Sequence, residues 1–101
     1  MSVLDSFVNE MLQPEDPRGK RVFLERLTRA LDVEKPPQFK IPAPAYTFES
    51  TLHGLVYDYT HRNVRLAYKV THSVYPDMTV SFMTFRVILE GLGVCIRMQK
   101  W

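Results

Sequence analysis

A chain of 101 residues has the size of one domain, with room for a real but modest core. Its 46% hydrophobic, 24% charged and 12% aromatic content is that of an ordinary globular protein, which excludes a disordered, collagenous or disulfide-scaffold chain. The net charge is +2, but residues 1–16 hold four acids and all 13 Lys and Arg follow them, an asymmetry too mild to define a nucleic-acid binder.

No apolar run reaches the roughly 18–20 residues that span a bilayer. The start, MSVLDSFVNEM, lacks the basic and long apolar regions of a signal peptide. A single cysteine, Cys95, excludes an internal disulfide, and its apolar neighbours in GVCIRM predict a buried thiol. Together these features predict a cytoplasmic or nuclear location.

The first element is a helix of about three turns. Ser2 is its N-cap, with Asp5 three residues on, and Leu4, Phe7, Val8, Met11 and Leu12 recur at helical spacing before Pro14 ends it. A second helix starts from Asp16 as N-cap and Pro17 at the first helical position. It buries Phe23, Leu24, Leu27 and Leu31 and turns Arg18, Arg21, Arg26 and Arg29 outward. Gly19 weakens its first turn.

Residues 34–45 carry Pro36, Pro37, Pro42 and Pro44 and read as an extended connector, because proline fixes φ and removes ladder donors. No P-x-x-P pair occurs in it. From residue 46 the composition shifts to β-branched and aromatic residues. LHGLVYDYT is one strand, HRN its turn, VRLAYKVTHSV the next strand and YPD a second turn. MTVSFMTFRVILE reads as a strand on its Thr, Val and Ile content. The alternative is a helix from Ser81 that aligns Phe82, Phe85 and Leu89 and ends at Gly91. GLG then turns into a last strand, VCIRMQKW.

The predicted fold is α+β: two short N-terminal helices (1–33), a proline-rich connector (34–45), then an antiparallel β-meander of three to four strands within a β-rich part (46–101), all in one domain. Two short helices cover one face of such a sheet. Val56, Met83, Phe85 and Val87 would lie opposite their strands' other apolar residues, and an apolar second face predicts a partner. We therefore expect a small non-enzymatic protein that forms a homodimer and binds another protein through these residues.

Signals for chemistry are thin. His53, His61 and His72 are spaced 8 and 11 apart, which fits no metal-ligand pattern, and no cofactor is implied. Cys95 with His72 could form a nucleophile–base pair, but nothing local supports the pairing. No P-loop, G-x-G-x-x-G, G-x-S-x-G or H-E-x-x-H occurs. The alternative function is RNA binding: Arg62, Arg65 and Lys69 line a turn and the polar face of a strand, and Arg18, Arg21 and Arg29 form a second basic group on the helix. RLAYKVTH does not fit the RNA-recognition octamer.

The series AYKVTHSV…SFMTFRVILE resembles the strand-then-aromatic-helix order of rhabdovirus matrix proteins. APAY and YPDM are similar to degraded PPxY and YPxL late-domain motifs. The resemblance implies a viral structural or accessory protein.

Overall fold

The computed structural model describes residues 2–32, 45–71 and 74–98. The proline-rich connector, apart from Ala45 at the start of β1, and His72 lie outside the described residues. Two helices, α1 (Val3–Leu12) and α2 (Pro17–Leu31), precede four strands, β1 (Ala45–Glu49), β2 (His53–Asp58), β3 (Asn63–Tyr68) and β4 (Met78–Ser81). A third helix, α3 (Phe82–Met98), follows β4 directly. The fold is α+β, with the strands paired antiparallel in the order β1-β2-β3-β4.

Local chemistry explains both N-terminal helices. Ser2 Oγ accepts the Asp5 N–H at 3.1 Å and Asp5 Oδ2 accepts the Ser2 N–H at 3.0 Å, a capping box that satisfies donors the first turn leaves open. Asp16 caps α2 by accepting the Gly19 N–H at 3.1 Å. A Cβ on Gly19 would sit 2.1 Å from the Asp16 carboxylate, so glycine is what lets the cap close here. Val3, Phe7 and Met11 from α1, and Leu24, Leu27, Ala30 and Leu31 from α2, are buried.

The strands alternate as a half-buried sheet requires. Phe48, His53, Leu55, Tyr57, Val64 and Leu66 face the helices in the core. Thr47, Val56, Arg65 and Thr79 are cross-strand neighbours on the opposite, open face. Tyr57 and Tyr59 fasten the sheet to α2, donating their hydroxyls to the Leu27 and Ala30 carbonyls at 2.8 Å each. Burial pushes both phenols above the ordinary tyrosine range.

The C-terminal quarter departs from the expected meander. The strand ends at Ser81, whose hydroxyl accepts the Thr84 N–H at 3.1 Å and so caps a helix. Phe82, Phe85, Leu89, Leu92 and Ile96 then fall on one helical face and enter the core. Gly91 and Gly93 sit inside α3 rather than in a turn, and the expected last strand is helical through Met98. Cys95, expected to be buried, is exposed on this helix. No helix among the described residues is long and apolar enough to cross a membrane.

Candidate functional site

The four residues expected on a partner surface divide among three places. Val56 is 38% exposed on the open face of the sheet. Met83 and Val87 are exposed on α3, at 79% and 65%. Phe85 is a correction: it is completely buried, against Phe7 and Tyr57 at ring distances of 6.1 and 6.0 Å. A strand would put residues 83, 85 and 87 on one face, whereas at about 100° per residue a helix turns 85 away from the other two. Phe85 therefore enters the core while Met83 and Val87 face out.

Continuing that outer face brings in residues the sequence reading did not single out. Val94 is 45% exposed and Gly91 is exposed beside it. On a helical projection Met83, Val87 and Val94 fall within about 40° of one another and diametrically opposite the core stripe, with Gly91 at their edge. Arg86, Glu90 and Arg97 form a row along one flank of the stripe. Thr84, Ile88 and Cys95 form the other. The signal for this helix was the Phe82, Phe85, Leu89 spacing.

The basic residues form two separate groups. Arg65 lies on the open sheet face, bonded to Asp77 at 2.8 Å, and Lys69 Nζ reaches the Ser50 carbonyl at 3.1 Å and Glu49 at 3.5 Å. Arg62, in the left-handed region at φ 56°, stacks its guanidinium 4.8 Å from the Phe82 ring and accepts the Phe82 N–H on its carbonyl at 2.9 Å. Arg18, Arg21 and Arg29 are exposed on α2, on the helical side of the sheet. Arg21 and Arg29 border a groove against α3 together with the acids Glu25, Asp32 and Glu90. Arg65 and Lys69 thus stand against acids, and Arg21 and Arg29 share their groove with others.

One buried polar network was missed. His53 is fully buried, with Nδ1 2.6 Å from Glu10 Oε1 and Nε2 2.9 Å from Ser6 Oγ. Ser50 donates its hydroxyl to the same Glu10 oxygen at 2.7 Å. Burial of Glu10 opposes ionisation, but hydrogen bonds from His53, Ser50 and the Leu52 N–H outweigh it and hold the carboxyl below its usual range. An ionised Glu10 draws a proton onto His53 Nδ1, and the ring's other nitrogen, Nε2, shares a hydrogen bond with the Ser6 hydroxyl.

The connectivity is that of a nucleophile–base–acid relay, and Ser6 and Glu10 line an open cleft of about 890 Å³. The surroundings do not suit acyl transfer. The imidazole has no exposed surface from which to hand a proton to a leaving group, and the Ser6 N–H is already donated to the Ser2 carbonyl at 3.0 Å rather than turned toward an oxyanion. The network is a clasp between α1 and the β1–β2 turn. Its one trace in the sequence is the alternation of His53 with Leu55 and Tyr57. No group of three or more metal-ligating side chains occurs among the described residues.

Architecture and surface together define a four-stranded antiparallel meander carrying three helices on one face, with an apolar outer stripe on the last helix. Compared with protein-family models, curated proteins and solved structures, the chain matches none.

Proposed function

We propose that this is a small interaction protein that works by self-association, as a homodimer, and by contact with a further protein, without catalytic chemistry of its own. The outer stripe of α3 carries this reading. A helix apolar on both sides belongs in an interior, and Met83 and Val87 keep 79% and 65% of their surface in water in the isolated chain. The RNA reading has less support, because Arg65 and Lys69 already face Asp77 and Glu49. The likeness to rhabdovirus matrix proteins rests on the series AYKVTHSV…SFMTFRVILE, of which Ala67 and Tyr68 close β3 and Phe82 onward forms α3, and a viral accessory role is proposed on that order alone.

Light scattering at low micromolar concentration tests the reading. The expected mass is twice the 11.8 kDa of the chain. Val87→Glu, which places an unpaired charge in the contact, should return the protein to a monomer with unchanged circular dichroism. A wild-type protein that is monomeric under these conditions would remove the proposal.

A further inference from the structure

Resting on the self-association reading, we infer that two copies meet through antiparallel α3 helices across a two-fold axis, with Val87 of each seated at Gly91 of the other. Three features of α3 fix this arrangement.

The first is the glycine. A Cβ built on Gly91 or on Gly93 would meet no atom of the described residues within 4 Å. Interior glycine weakens a helix relative to alanine, and among the described residues no close approach requires it at Gly91. A second helix packed on the outer stripe supplies the reason, since a missing side chain is a notch into which a neighbour's valine fits and which lets the axes approach. Gly93 faces the α2 groove and takes no part in this contact.

The second feature is charge. The flank of the stripe reads Arg86, Glu90, Arg97, and Arg86 is held by Asp32 at 2.5 Å. Glu90 has no ion-pair partner among the described residues. When the helices run antiparallel, each charged flank faces the same flank of the other copy in reverse order, which sets Glu90 against the second copy's Arg86, twice by symmetry. The guanidinium has donors for both Asp32 and the incoming carboxylate. In a parallel pair this flank would instead face Thr84, Ile88 and Cys95, which offer Glu90 no countercharge.

The third feature is register. Antiparallel pairing of residues whose numbers sum to about 177 brings Met83 onto Val94, Val87 to within a residue of Gly91 and Glu90 to within a residue of Arg86. One alignment thus covers the three exposed apolar side chains, uses the notch and satisfies the charge.

Cysteine cross-linking reads the geometry. Met83→Cys and Val94→Cys are prepared separately in a Cys95→Ser background, mixed, allowed to exchange and mildly oxidised. The mixture should give a disulfide-linked dimer, and either variant alone about tenfold less, because like positions lie about 16 Å out of register and a disulfide needs Cα atoms within about 7 Å. Gly91→Leu should fill the notch and weaken dimerisation at least about tenfold without lowering helix content. Efficient cross-linking of Met83→Cys by itself would mean a parallel pair and overturn the inference. A wild-type dimer in which the mixture does not cross-link would also overturn it, while self-association stands. A monomeric wild-type protein removes both.

Discussion

His53 Nδ1 lies 2.6 Å from Glu10 and His61 Nδ1 lies 2.7 Å from Asp58, yet the first imidazole is fully buried and the second is 73% exposed. Chemically the pairs are alike. The difference lies in what each joins. Glu10 and His53 connect α1 to the sheet across 43 residues, and the carboxylate also receives Ser50 and the Leu52 N–H. Asp58 and His61 sit three residues apart in the β2–β3 turn, where Asp58 Oδ1 accepts the Thr60 and His61 N–H groups. Distance therefore says little about contribution. Solvent screens the turn pair, whereas the fully buried imidazole of the clasp has no water to replace a lost partner.

The largest effect should come from breaking the buried pair. Glu10→Ala strands the buried His53 Nδ1 donor and removes an acceptor from the Ser50 hydroxyl and the Leu52 N–H, and should cost about 3 kcal/mol in chemical denaturation. Glu10→Gln keeps an acceptor for one of them and should cost less. A loss below about 0.5 kcal/mol, the range of ordinary surface changes, would mean that Val3, Phe7 and Met11 dock α1 without the clasp.

The pH dependence sharpens the same contrast. The folded-state pKa of Glu10 is depressed, so its stabilisation is full above the unfolded value, near 4.3, and is lost as pH falls through the lower folded value. The hydrogen bonds of His61, from its side chain first and then its backbone, also depress Asp58, so the sign is the same, but that carboxylate is in water. Acid unfolding of the wild type should therefore follow Glu10. Glu10→Gln should flatten the limb below about pH 4, and Asp58→Asn should leave most of it. If Asp58→Asn flattens the limb more, the clasp is not the acid-sensitive contact.

The N-terminal half of the fold was legible because its signals are local. Ser2 with Asp5, and Asp16 with Pro17, mark helix starts within four residues of chain, and β2 and β3 alternate cleanly. Residues 82–98 were half legible: the spacing of Phe82, Phe85 and Leu89 offered a helix from Ser81, but Thr84, Val87 and Ile88 favour strand locally, and the helix is selected by burying Phe82, Phe85, Leu89, Leu92 and Ile96 together. The period error carried into the site. Met83 and Val87 lie in solvent, whereas Phe85 moved to the core. The clasp was hidden for another reason: Ser6, Glu10 and His53 become neighbours only once α1 lies on the sheet.

The smallest effect should be at His61. Its ring is 73% exposed and its partner is three residues away, so the pair brings no distant elements together. The turn is already held by the backbone N–H bonds to Asp58 and by the Arg62 carbonyl accepting the Phe82 N–H at 2.9 Å. His61→Ala removes an imidazole and leaves all of these in place. Its denaturation midpoint should coincide with the wild type within error, at neutral pH and at pH 5 alike. A clear drop would show that the imidazole does hold Asp58, and that exposure had not reduced the pair to a solvated contact.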